Sequence, residues 1–457
     1  MSKIVIIFYF PYFSKSLVSY YDGLVHALSE NHDLLVVNNF DKSQLANFIN
    51  EEQCQKIVDF HPDLIITFNH VINDFIYQHT NCNVLVIEAD LYPNGFHNID
   101  LINKYSDKIF IATANNNLRN RIKKLITNLK EDRFIILKNS TSLTPCKETD
   151  FKQNISFIGT LMGIDDNNKV IKFLSENINN KSNLEYIKTI IDKALYNIDL
   201  VHPLELKAID CTFLDLFHYI SFLNRIKILE NVNDLGLKIY GKSYVLSNLA
   251  TLGSLIFSIN EIEGVLNALQ NQEIYNQSKI SINLHFAHNS IDPNLSCYSW
   301  RVCDIMATNS CLVSTFCPAL DQDFGKWVKI PQFSNRHEAY DLCKKLLAEE
   351  NLRKDTMEAS QLAIKEGKFT FAERAKEIAE IFNLKPVQKE PHFDFLVNTD
   401  KNKEEVNTDK NKEESIGIIQ SKTTNHKNSF YKICNRIRIN LFRKIKNKPL
   451  MRIVKNI

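Results

Sequence analysis

The sequence predicts an α/β protein built from two Rossmann-like domains in tandem. Two observations lead there. Short, continuous apolar runs alternate with helical stretches from residue 3 to residue 138, and the same rhythm restarts at residue 154 after a polar interruption. Apolar runs without polar alternation mark parallel strands buried on both faces, and the helices between them are the crossovers. The chain has 457 residues, 44% hydrophobic and 24% charged, which is ordinary for two packed domains and a tail.

In order, KIVIIFYF (3–10) reads as the first strand and SLVSYYDGLVHALSE (16–30) as the helix after it. DLLVVN (33–38), DLIITF (63–68), NVLVIEA (83–89), KIFIAT (108–113) and RFIILK (133–138) continue the strands, with helices at 44–60 and near 117–129. The polar stretch STSLTPCKETDFK links the halves, so the first domain is placed at 1–145 and the second at 146–384. The second opens with NISFIGTLMG (154–163), a strand running into a glycine loop. A long helical region (165–233), GLKIYGKS (236–243), ISINLHFA (280–287), the helix–strand unit YSWRVCDIMATNSCLVST (298–315) and KWVKIPQF (326–333) follow. Helices near 336–350, 352–366 and 371–383 close it.

Residues 385–425 break the pattern. VNTDKNKEE occurs at 397–405 and again at 406–414, and its polarity leaves nothing to bury, so a disordered linker is expected. From Ser415 onward there are eleven Lys and Arg and no Asp or Glu, leaving −9 on residues 1–414 out of the overall +2. In the tail, expected at 426–457, Phe430, Ile433, Cys434, Ile437, Leu441 and Ile445 fall at spacings of three and four. That is the pattern of a basic amphipathic helix suited to an anionic membrane surface. The acidic body and the absence of a nucleic-acid module argue against a nucleic-acid partner. No apolar run reaches 18 residues. The ten cysteines form no CxxC pair and no zinc-finger spacing, and several sit in apolar runs as core residues would. The N-terminal run reads as a strand rather than a leader. Together these predict a cytoplasmic protein, peripheral on the cytoplasmic face of the membrane.

The first strand turns through PYFSKS, without glycine, so a dinucleotide cofactor in that half is not expected, and no other cofactor is. In a two-domain parallel-sheet protein the ligand lies beyond the carboxyl ends of the strands. The residues that matter in the second domain are therefore Gly159, Thr160, Gly241, Lys242, Asn283, Arg301 and Asp304. Glycines after strands let backbone amides approach a phosphate. Arg301 stands in the first turn of a helix, where a cation opposes the helix dipole at a cost of about 0.3–1 kcal/mol. That position suits an anion site, or else an ion pair with Asp304 three residues on.

From about Ile155 to Phe382 the order of segments resembles the CgeB-like (spore maturation protein-like) glycosyltransferases of the GT-B fold, two Rossmann-like domains facing a cleft. The resemblance rests on FIGTL, LKIYGKS, IYNQSKISINLH, KEGKFTFAERAKEIAEIF and above all WRVCDIMATNSCLV. It extends more thinly into the first half through VDFHPDLIITFN and YSDKIFIAT. It implies transfer from a nucleotide-sugar donor to a glycan or lipid-linked glycan acceptor, with Arg301 on the donor diphosphate and Asp304 on the ribose. Asp304 is a methylene shorter than the family's glutamate, Asn309 or Ser310 stands where relatives have glycine, and Ser296 stands where related retaining families place an earlier glutamate.

The first domain would hold the acceptor. Polar residues after its strands are the candidates for a general base, His70 and Asp90 before the others, with a helix cap as the plain alternative for His70. No DxD follows a strand. The near match DQD (321–323) is expected in a solvated loop, so the transfer is expected to be metal-independent, with arginine, lysine and backbone amides neutralising the diphosphate. A nucleotide-sugar epimerase of the same fold and a non-catalytic nucleotide- or glycan-binding protein are the competing readings.

Overall fold

The structure, a computed structural model, describes residues 2–8, 19–38, 40–41, 46–47, 51–88, 99–147, 150–159, 168–196, 200–240, 259–260, 266–285, 297–387 and 392–397. The strands of the first half are β1 (Lys3–Phe8), β2 (Asp33–Asn38), a small antiparallel pair β3 (Phe40–Asp41) and β4 (Ala46–Asn47), then β5 (Leu64–Phe68), β6 (Asn83–Ile87), β7 (Ile109–Thr113) and β8 (Phe134–Ile136). Its helices are α1 (Ser19–Ser29), α2 (Glu51–Asp59), α3 (Asp74–His79), α4 (Ile99–Lys104) and α5 (Asn116–Leu125). The second half carries β9 (Gln153–Ile158), α6 (Lys169–Glu176), α7 (Lys181–Tyr196), α8 (Pro203–Ala208), α9 (Phe213–Asn231), β10 (Leu237–Tyr240), β11 (Ile259–Asn260), α10 (Ala268–Asn276) and β12 (Ser278–Asn283). It continues through α11 (Arg301–Met306), β13 (Cys311–Thr315), α12 (Pro318–Phe324), β14 (Gln332–Phe333), α13 (Arg336–Ala348), α14 (Glu350–Glu366) and α15 (Phe371–Ile381), and β15 (Phe393–Val397) is last.

The two Rossmann-like sheets are both present and wholly parallel. Their orders are β15-β2-β1-β5-β6-β7-β8 and β11-β10-β9-β12-β13-β14. Successive residues of a strand pack into different cores. Ile4 and Ile6 of β1 face α1 and α15, while Val5 and Ile7 face the side of α2 and α3. In the second sheet Ile155 and Phe157 pack beneath α7 and α9, and Ile158 packs on the side of α11. In that sheet the chain runs from β9 out to β10 and β11, then returns to β12 on the other side of β9. The switch point thus lies between β9 and β12.

The closing segments depart from the expected boundaries. Helix α15 falls within the bounds expected for the second domain, yet Phe371, Ala375 and Ile378 pack into the core of the first, against α1. Gly23 of α1 makes room for it, since a β-carbon there would run into the Phe371 ring. Residues 393–397 lie inside the stretch expected as a disordered linker, but they form β15, paired with β2 along its length. FDFLV places Phe393 and Phe395 on the α1 and α15 face and Leu396 on the other, an alternation that the polar repeat beginning at Val397 obscures. Residues 388–391 and 398–425 of that stretch and the basic tail lie outside the described residues. Among the described residues no helix is long and apolar enough to cross a membrane.

The chain crosses between the domains twice, side by side. Thr141 bridges Thr370: its N–H donates to the Phe369 carbonyl at 3.1 Å, and Phe371 N–H donates to the Thr141 carbonyl at 3.2 Å. Trp300, just before α11, stacks on Phe371 with ring centroids 5.6 Å apart and also lies against Tyr20 of α1.

Candidate functional site

The β9–β12 switch point collects the polar residues of the second domain. Gly159 follows β9, and its N–H donates to the Tyr240 carbonyl at 3.0 Å. A β-carbon at Gly159 would sit 3.1 Å from Arg301 Nη2 and 3.2 Å from the Phe157 ring. Glycine is therefore what lets the Arg301 guanidinium lie against the end of this strand. On the other side Arg301 Nη1 points at Asn283 Oδ1, at the end of β12, over 3.4 Å. The same oxygen accepts from Ser299 Oγ at 3.1 Å, and Asn283 Nδ2 donates to Ser314 Oγ at 3.0 Å. Arg301 is only half-buried, so its guanidinium is held in place without being enclosed.

Two more basic side chains lie within reach of its charge. Arg225 comes from α9 and is 4% exposed. Burial and the Arg301 charge push it down to about 9, which leaves it cationic at neutral pH. His285 lies two residues beyond β12. Burial, with the charges of Arg301 and Arg225 added, pushes its imidazole down to about 3, so it is neutral at neutral pH and bonds Ser314 Oγ at 3.2 Å. Two guanidinium charges and a neutral imidazole within charge range of one another suit a small, highly charged anion. Guanidinium groups bind phosphate in pairs of parallel hydrogen bonds.

Arg301, Asn283 and Gly159 are thus brought together. Arg225 was not foreseen. Its signal is a lone arginine in a buried stripe of α9, flanked four residues away on either side by Ser221 and Leu229. Asp304 has partners that the sequence did not disclose. Its Oδ2 accepts from Ser19 Oγ of α1 at 2.5 Å and its Oδ1 from Thr141 Oγ1 at 2.6 Å. The hydrogen bond from Arg301 goes to Asn283 rather than to Asp304. Burial raises the Asp304 carboxyl to about 6, although Ser19, Thr141 and Arg301 all pull it down.

Of the remaining candidates, Thr160, Gly241, Lys242 and Asp90 lie outside the described residues. His70 is buried in the first domain with Nε2 2.9 Å from Tyr77 Oη, and Tyr77 stacks on Tyr105. The cap of α3 is Asn73, whose side chain accepts from Ile76 N–H, so His70 is not the cap that the alternative reading supposed. Asp321 and Asp323 lie on α12 rather than in a loop. Asp323 is taken by Lys138 Nζ at 2.9 Å and Tyr298 Oη at 2.7 Å, and Asp321 accepts from Gln332. Among the described residues no three His, Cys, Asp or Glu side chains converge as metal ligands would.

Fold and site define a two-domain α/β protein with basic side chains gathered at the switch point of its second sheet. No family model and no curated protein matches the chain. Solved structures do resemble it in the course of the chain. Sucrose-phosphate synthase from Thermosynechococcus elongatus aligns with a TM-score of 0.48 and 9% identity, over 84% of this chain and 98% of that one. HepE of Anabaena, solved with UDP and glucose, gives 0.48 and 10% over 84% and 100%. The DNA-modifying enzyme β-glucosyltransferase gives 0.45 and 12% over the same shares.

Proposed function

We propose that the chain is a glycosyltransferase that moves a sugar from a nucleotide-sugar donor to a hydroxyl of a cell-surface glycan such as lipopolysaccharide or capsule. The observation that carries this reading is the Arg301 guanidinium held between Gly159 and Asn283, with the charge of Arg225 and a neutral His285 in its field. A sugar leaves a nucleotide donor as its anomeric C–O bond breaks and the electron pair passes to the β-phosphate oxygen. A fixed cation beside that oxygen stabilises the developing charge, and one such preorganised contact is worth about 10²–10³ in turnover. The acceptor hydroxyl attacks the anomeric carbon and gives its proton to a base on the first domain. His70 is engaged with Tyr77, which leaves Asp90 as the candidate from the sequence. Thr160, Gly241 and Lys242 would complete the donor site through backbone amides and one further cation. With Asp321 and Asp323 held by protein partners, arginine charge takes the part of a metal, and transfer persists in EDTA. The basic tail brings the enzyme to an anionic membrane carrying a lipid-linked acceptor.

The test is thermal unfolding with a panel of nucleoside diphosphates. At a hundredfold excess over Kd, binding to the folded state adds about 2.7 kcal/mol. One nucleoside diphosphate raises Tm, NAD does not, and Arg301→Ala abolishes the shift while unfolding at its own Tm near that of the parent. A nucleotide shift that survives in Arg301→Ala overturns the donor-site assignment.

A further inference from the structure

The carboxylate of Asp304 takes its hydrogen bonds from Ser19 and Thr141, while Arg301 is bonded to Asn283. Asp304 is 3% exposed, and each oxygen is taken by a hydroxyl from outside its own domain. Ser19 opens α1 of the first domain. Thr141 lies where the two interdomain crossings run hydrogen-bonded to each other. Asn271 Nδ2 of α10 donates to Ser19 Oγ over 3.5 Å, which leaves the Ser19 proton directed at Asp304. Helix α11 therefore carries a cation at its first residue, aimed at the ends of β9 and β12, and an anion at its fourth, aimed at the hinge.

We infer that Asp304 is a positioning residue, a latch that joins α11 to Ser19 of the first domain and Thr141 of the hinge and so sets Arg301 at the switch point. The side chain is short enough to stay among these hydroxyls, and hydrogen bonds to a buried carboxylate are among the stronger ones. Releasing it frees α11 to shift and carries Arg301 off Gly159 and Asn283. The latch rests on these contacts alone; its effect on anion binding rests on the proposed diphosphate site.

Inorganic pyrophosphate is the deciding probe, because it has phosphates and no ribose. Its affinity is measured by calorimetry for the full chain and for Ser19→Ala, Asp304→Ala, Asp304→Asn and Ser19→Thr, with UDP alongside. The latch predicts that Ser19→Ala and Asp304→Ala each weaken pyrophosphate about tenfold, the equivalent of one charged hydrogen bond. The double substitution is no worse than either alone. Ser19→Thr, which keeps the hydroxyl, and Asp304→Asn, which can still bond both hydroxyls, retain the affinity. A ribose contact predicts otherwise: pyrophosphate binding is untouched by Asp304→Ala, UDP binding falls, and Ser19→Ala does nothing. That result overturns the latch. If the parent chain binds neither pyrophosphate nor any nucleotide, the diphosphate reading falls, and thermal unfolding still judges the latch. Additive losses of stability in Ser19→Ala and Asp304→Ala would then refute it.

Discussion

Burial raises the Asp304 carboxyl to about 6 from an ordinary value of 3.8, although two hydroxyls and Arg301 pull the other way. The folded state therefore binds more protons than the unfolded state between about pH 4 and pH 6. Stability from this group is complete below the unfolded value and is lost as pH rises through the folded one. The difference corresponds to ~3 kcal/mol lost by pH 7. Asp304→Asn removes the titration and keeps a bond to each hydroxyl. Urea unfolding at pH 4 and pH 8 should show the variant gaining on the parent by about 1–3 kcal/mol at the higher pH; parallel pH profiles would mean that Asp304 is not the buried titrating group. Arg301 was legible because a cation in the first turn of an apolar helix breaks a local rule. Asp304 was legible as a residue and illegible as a contact, because Ser19 stands 285 positions away. Arg225 was illegible because α9 is apolar nearly all round, and such a helix does not say where its one arginine points.

At the scale of elements, the parallel strands announced themselves through continuous apolar runs, and the structure places a strand at each of them. The last helix and the last strand were recognised less well. Periodicity makes α15 a helix but cannot say which domain it covers. That depends on Gly23, which gives up a side chain so that Phe371 can seat on α1. Gly23→Ala would gain helix propensity on a surface helix. Here it should cost about 1–3 kcal/mol through overpacking against a ring that is 1% exposed. Phe371→Leu relieves the overlap, so the two substitutions together should cost less than their sum in urea unfolding. An additive pair would show that α15 does not close on α1 as described.

At the scale of the whole molecule, charge is divided as sharply as structure: −9 on residues 1–414 and eleven basic residues with no acid after them. A protein bearing one sign throughout would be steered as a unit, whereas with this division of charge an anionic surface would attract the basic end and repel the acidic body. Each basic residue near such a surface adds on the order of 1 kcal/mol, and an apolar face entering the interface adds to that. The strand β15 ends at Val397, so the two domains keep all their pairing when the chain stops there, while every residue from Ser415 on is removed. The full chain should pellet with vesicles containing anionic lipid, be partly released by salt as screening grows, and stay in solution with neutral vesicles. The chain ending at Val397 should remain in the supernatant with both kinds of vesicle and still show the nucleotide-dependent rise in Tm. A tail docked on the acidic body would instead give a full chain that ignores vesicles and loses stability on truncation. Equal pelleting of both chains would move the membrane contact from the tail to the two domains.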